Sequence, residues 1–223
     1  MSNVNLEQLS QQLESLNQRD RMVALAQLRD VEPEQAVPLI KKVLNDKSLQ
    51  IRSMAVFALG VKPTAECFGL LLDLLKDDDY GIRADAAGAM GYLQDQRAFE
   101  PLVRLFYEDT SWLVRFSAAV SLGNLQNPRA KEVLLEALKS EEVVLQQAAI
   151  AALGEIKSID AIEPMLNFVQ SEDWLVRQRL AEALGNLPSD QSISALQYLQ
   201  KDSHPQVSKA ATISLDKLAN SST

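Results

Sequence analysis

Cys67 and His204 are the only cysteine and the only histidine among the 223 residues of this sequence. A disulfide framework needs paired thiols, a zinc cage needs several Cys or His, and the usual nucleophile and base constellations need a histidine; all three are excluded. No apolar run approaches the ~18 residues that a membrane span requires. The start, Met1, Ser2, Asn3, Val4, Asn5, lacks the cationic and apolar blocks of a signal peptide, so a cytoplasmic location and no membrane partner are expected. Basic charge is also short: 22 Lys and Arg face 30 Asp and Glu, a formal charge of -8, with no basic cluster to displace counterions from nucleic acid. The acidic run Asp77, Asp78, Asp79 lacks the glycine spacing and distant Glu of a calcium loop, so no metal site is expected.

Glycine is scarce as well, at 8 residues, yet Gly60, Gly91, Gly123, Gly154 and Gly185 lie 31, 32, 31 and 31 residues apart. Each closes the same phrase. Ile51 and Arg52 lead to Ala58, Leu59 and Gly60, and Ile82 and Arg83 lead to Ala89, Met90 and Gly91. Val114 and Arg115, Leu145 and Gln146, and Val176 and Arg177 open further copies, with a weaker one from Val207 and Ser208 and an N-terminal one around Arg21, Ala24 and Leu28. A period of this length means stacked supersecondary units, none able to bury its apolar face alone.

Each unit reads as two helices, since apolar residues recur at helical spacing in the phrase and again about 20 residues earlier, as in Val37, Leu39, Ile40, Val43 and Leu44. Ser48, Asp79, Ser111 and Asp173 stand four residues before the arginine position, where a side-chain oxygen caps a helix start; His204, followed by Pro205, takes that place in the last copy. The closing glycines suit a left-handed helix stop, and Pro38, Pro101 and Pro164 fall near the starts of first helices. The alanine pairs 86 and 87, 118 and 119, and 148 and 149 permit close helix packing. The expected fold is all-α, an α-solenoid of about seven short helix pairs in one curved right-handed array. It forms a single domain over 1–223, with units near 1–30, 31–61, 62–92, 93–124, 125–155, 156–186 and 187–219 and a disordered tail at 220–223.

The phrase from Asp109 to Gly123, Asp-x-x-Trp-Leu-Val-Arg-x-x-Ala-Ala-x-x-Leu-Gly, closely resembles the short HEAT repeats of the phycobilin lyase-like family, over nearly the entire chain. Length and acidity look most like the phycobilisome degradation proteins of that family, of cyanobacterial type. The resemblance implies phycobiliprotein partners, phycocyanin or allophycocyanin, and a phycobilin as ligand or substrate, with no cofactor of the chain's own. It implies detachment or handling of that bilin in phycobilisome degradation. Two alternatives stay open: a bilin lyase subunit attaching or removing phycocyanobilin, and a non-catalytic adaptor bridging a protein to a protease. No catalytic constellation is recognisable, so whether the chain is an enzyme stays open. Gln146 and Ser208 replace the arginine and interrupt any ladder from the arginines to Asp46, Asp77 and Asp109. HEAT-type iron hydroxylases need paired His-Glu motifs, which a lone His204 does not supply.

Positions constant between units answer to shared packing; positions that vary are free to serve a partner. Offsets of minus three, plus one, plus five and plus nine from the arginine share one face of the second helix, the concave side of such a stack. That stripe holds Leu49, Ser53 and Phe57; Tyr80, Ala84, Gly88 and Tyr92; and Trp112, Phe116, Val120 and Asn124. Val143, Gln147, Ala151 and Glu155 continue it, then Trp174, Gln178, Glu182 and Asn186. Aromatics make up only 5% of the chain, so their concentration here marks a binding anchor, with Phe57, Tyr80, Tyr92, Trp112, Phe116, Val120, Trp174 and Gln178 as candidates. Asp85 and Arg179 join them because their shared offset is uncharged in other units. Trp112 and Trp174 stand at the first turn of a helix, where a large ring also packs across a neighbouring loop. The counterparts of Phe116 are small or polar, so the repeat itself requires no ring there. The constant Arg52, Arg83, Arg115 and Arg177 read as structural, tied to acidic turn residues. Cys67 reads as a buried structural thiol, although a thiol could in principle accept a bilin through a thioether.

Overall fold

The structure, a computed structural model, describes residues 5–221, and these form fourteen α helices and no strand. The chain divides into two compact units, Met1–Pro101 and Leu102–Thr223. The first contains α1 (Leu6–Leu13), α2 (Gln18–Gln27), α3 (Pro33–Lys41), α4 (Leu49–Val61), α5 (Cys67–Leu74) and α6 (Tyr80–Leu93). The boundary falls within α7 (Phe99–Glu108). The second unit continues with α8 (Trp112–Asn124), α9 (Lys131–Ala137), α10 (Val143–Glu155), α11 (Ile162–Leu166), α12 (Trp174–Leu184), α13 (Asp190–Leu199) and α14 (Pro205–Ser221). Helix α14 thus extends past the expected start of the tail; residues 222 and 223 lie outside the described residues.

Second helices make one layer in each unit. In the first unit α2 packs on α4 and α4 on α6; in the second α8, α10, α12 and α14 pack in that order. Leu59, Met90, Leu122, Leu153 and Leu184, one per phrase, are fully buried, as are Ala86, Ala87, Ala118, Ala119 and Ala149. Small side chains bring the helix axes close, and the leucine layer behind excludes water from the gap.

The glycines do something other than stop helices. Gly60, Gly123 and Gly154 lie inside α4, α8 and α10, Gly185 caps α12 at φ -63°, and no glycine has positive φ. The left-handed turns fall instead on Gln94, Gln126 and Lys157, with φ of 52°, 51° and 54°. A β-carbon on Gly60 would stand 2.8 Å from Ala89 Cα, one on Gly123 2.7 Å from Ala152 Cα, and one on Gly154 2.8 Å from Ala183 Cα. At Gly60, Gly123 and Gly154 the glycine marks close backbone contact between successive second helices of the same unit.

Capping is shared between two residues. Asp79 accepts from the N–H groups of Gly81 and Ile82, and Asp173 from that of Leu175, as the sequence leads one to expect. Ser48 and Ser111 occupy the cap position without a side-chain bond to the helix. Their own N–H groups donate to Asp46 and Asp109, two residues earlier, which close the turn as Asx motifs. Pro38 is the sixth residue of α3 rather than near its start, so the Glu34 carbonyl lacks a helical donor there.

The arginines staple each turn to its own helix and to the next turn. Arg21 Nη1 donates to Ser15 O at 2.8 Å, Arg52 Nη1 to Asp46 O at 3.3 Å, Arg83 Nη1 to Asp77 O at 2.9 Å, and Arg177 Nη1 to Ser171 O at 2.6 Å. In each case the carbonyl lies six residues upstream, and Gln146 keeps the same bond, to Ser140 O at 2.7 Å. The second half of the staple is an ion pair 25 residues on. Arg21 meets Asp46 at 2.7 Å, Arg52 meets Asp77 at 3.7 Å, and Arg177 grips Asp202 through Nε at 2.7 Å and Nη2 at 3.0 Å. Arg115 has Ser140 at that distance and instead reaches Glu142, at 2.6 Å. The ladder is interrupted at Gln146, which gives up the ion pair and retains the carbonyl bond.

These pairs set the acids' charge. At Asp46, burial opposes ionisation, but bonds from Ser48 N–H and Arg21 outweigh it and hold the carboxyl below its ordinary value. At Asp202 the Arg177 bond is the largest influence, also downward, and the His204 N–H adds to it.

Candidate functional site

In the first unit the stripe falls on exposed surface of α4 and α6, which pack side by side. Phe57, Tyr80 and Tyr92 leave 55%, 56% and 58% of their surface open to solvent. Phe57 and Tyr92 meet edge to face, with ring centroids 5.9 Å apart and planes at 84°. That geometry favours the quadrupoles of the two rings and fixes an exposed aromatic corner with little side-chain entropy left to lose on binding. Leu49 and Val61, both exposed, widen the apolar area. Val61 has the plus-nine offset in its unit, so the rule that finds Tyr92 also finds it. Ala84, by contrast, is buried and contributes nothing to this face, and Asp85 beside it is half-buried.

In the second unit Trp112 is half exposed and Phe116 and Val120 follow it, half-buried, along α8. Trp174 behaves differently. Its indole stacks on His204 in the turn before α14, with centroids 4.1 Å apart and planes 12° from parallel. Trp174 therefore packs across the next turn and offers a partner only the part of its surface left open, 39%. Gln178 Nε2 donates to Glu182 Oε1 at 2.8 Å, and Arg179 Nη1 to Glu182 Oε2 at 2.8 Å. The charge of Arg179 answers to an acid one turn away on its own helix. Ile213, at plus five from Ser208, is exposed and extends the stripe onto α14; the weak arginine position in the last copy hides it in the sequence.

Cys67 is fully buried at the start of α5, its Sγ 3.2 Å from Thr64 Oγ1 and 3.3 Å from Lys62 O. It holds the turn and presents no sulfur to a ligand. Among the described residues, no group of three or more His, Cys, Asp or Glu could hold a metal ion. The surface offers apolar and aromatic contact area.

The model for HEAT repeats matches residues 69–145 and 132–216, more than half of the chain. A comparison with curated protein sequences finds no match. Among solved structures, the complex of CpcE and CpcF of phycocyanin lyase from Nostoc sp. PCC7120 is similar at a TM-score of 0.65 and 18% identity, covering 98% of this chain and 96% of that one. A chain from the structure of Kap95p with RanGDP reaches 0.65 at 14% identity, covering 99% of this chain and 36% of that one. An engineered protein reaches 0.58 at 22% identity, covering 96% of this chain and 68% of that one. At such identities the likeness is one of fold. With the repeat model spanning most of the phrases and the helices paired as those phrases require, the chain belongs to the HEAT-repeat family.

Proposed function

We propose that this chain binds phycobiliproteins and handles, or helps to detach, their bilin chromophore during phycobilisome degradation. The observation that carries the reading is the exposed aromatic corner of Phe57 and Tyr92 beside Tyr80, since other units carry no ring at the offsets of Phe57 and Tyr92. The likeness in fold to the CpcE and CpcF complex of phycocyanin lyase supports it over nearly the whole of both chains. Such a partner puts the protein in the cytoplasm; among the described residues no helix is long and apolar enough to cross a membrane.

Cys67 is buried, so the chain's own thiol is not the group that attacks a thioether. What the residues supply is differential binding. A face that grips a partly opened phycobiliprotein more tightly than the closed one shifts the population toward the open form, about tenfold for each 1.4 kcal/mol of preference. The test mixes the protein with chromophorylated phycocyanin and follows complex formation and the covalent bilin band. Absence of a complex removes the proposal. A complex with an unchanged bilin band turns it into the second reading, an adaptor without chemistry, which the burial of Cys67 favours. Transfer of bilin to an apo-protein would instead identify a lyase subunit.

A further inference from the structure

The second unit carries another surface, built chiefly from α11, α13 and the turns that follow them, with Arg177 of α12 at one end. Helix α11 is 5 residues long where α13 has 10, and the chain leaves it through a turn at Asn167 to Gln170. Two adjoining clefts of about 490 and 600 Å³ open there and share Val169, Gln170 and Tyr198. Each volume lies in the range of a ligand site. Leu166, Val169, Ala195 and the ring of Tyr198 give the first cleft an apolar wall, with Asp190 beside it; the second contains Lys201.

Charge decides what such a cleft accepts. Arg177 and Asp202 also line the second cleft, but they neutralise each other through two bonds of 2.7 and 3.0 Å. The charges of the lining without an ion pair among the described residues are Asp190, at the first turn of α13, and Lys201, just past its end. Eleven residues at 1.5 Å each put them about 16 Å apart along the helix, a distance that an extended chain covers in about five residues. Tyr198, more than half exposed, lies between them in sequence and is common to both clefts.

We infer that this cleft docks an extended segment of another protein, about five residues long, with a cationic side chain at the Asp190 end, apolar side chains against Tyr198 and a carboxylate at the Lys201 end. A chain with one docking surface on its second helices and another on its first helices can hold two partners at once. The inference stands apart from the identity of the partner at the aromatic stripe.

The test titrates the full chain into fluorescein-labelled, acetylated pentapeptides in which three leucine or valine residues separate one lysine from one glutamate, in both orders. Counterparts with two lysines or two glutamates serve as controls. The mixed-charge peptides are expected to bind about tenfold more tightly than either control, since a like charge at one end costs binding. Asp190→Lys or Lys201→Glu alone should each weaken the mixed peptides several-fold, Tyr198→Ser should weaken every peptide, and the double reversal Asp190→Lys/Lys201→Glu should restore the mixed peptides. The three positions are exposed, so unchanged circular dichroism is expected to accompany these losses. Equal affinity for mixed and like-charged peptides, indifference to the single reversals, or failure of any peptide to saturate would overturn the inference.

Discussion

The same substitution, glycine to alanine, should change sign between two helices of this protein. Gly88 lies within α6, and a β-carbon built there meets nothing within 4 Å. Alanine is favoured over glycine in a helix by about 1 kcal/mol, chiefly through the entropy of the unfolded chain, so Gly88→Ala should stabilise by up to that amount. Gly154 lies within α10, and a β-carbon there would stand 2.8 Å from both Cα and Cβ of Ala183, with the Ala183 carbonyl oxygen at 3.2 Å. Carbon atoms pack best at about 3.5–4.0 Å, so α10 and α12 must part by about 0.7 Å or more, and a gap of that size forfeits roughly a quarter to a half of the dispersion between them. The obstacle is backbone and cannot turn aside as a flexible side chain would. Overpacking of this kind costs about 3 kcal/mol at the upper end of the usual range; offset by the helix preference, the net loss is about 2 kcal/mol. For a chain of this length each kcal/mol moves Tm by roughly 2–4 °C. Melting followed by circular dichroism at 222 nm should place Gly88→Ala up to about 4 °C above the parent and Gly154→Ala about 4–8 °C below it. If Gly154→Ala is stabilised like Gly88→Ala, the glycine period does not report helix contact and the packing argument fails.

Asp202 provides a test of the arginine ladder against pH. Its folded carboxyl lies below the ordinary value of 3.8, so the stability it lends is present above about pH 3.8 and disappears as pH falls through the lower folded value. Asp202→Asn should cost about 3 kcal/mol at pH 7, since Arg177 is left without its carboxylate, and urea midpoints of the two proteins should converge toward pH 2; a gap independent of pH would refute the ion-pair account. Phe57→Ala and Tyr92→Ala should each weaken phycocyanin binding about tenfold while leaving Tm within about 2 °C, because both rings are exposed on the folded chain. A collapse of Tm without loss of affinity would make them packing residues. Trp174→Ala should lower stability by about 1–2 kcal/mol through loss of the His204 stack, measurably more than Trp112→Ala; equal effects would contradict that distinction.

Much of the architecture was legible because a repeat compares a sequence with itself. The recurrence of arginine, alanine and glycine every 31 residues or so was enough to give helix pairs, and Leu59, Met90, Leu122, Leu153 and Leu184, one per phrase, are all buried. The same comparison put Phe57, Tyr80 and Tyr92 on one helix face, and all three rings are exposed. What the sequence could not decide was which neighbour each residue answers to. Glycine at the end of a helical phrase fits either a left-handed stop or a close crossing, and only the approach of Ala89, Ala152 and Ala183 chooses the second. Trp174 and Trp112 have the same offset, yet the first is stacked because His204 lies across it in the next turn. Arg115 reaches Glu142 because Ser140 leaves its usual place without a carboxylate. Local spacing is encoded by short-range geometry of the helix, whereas these choices depend on contacts 27–30 residues away, which exist only after successive helices have packed.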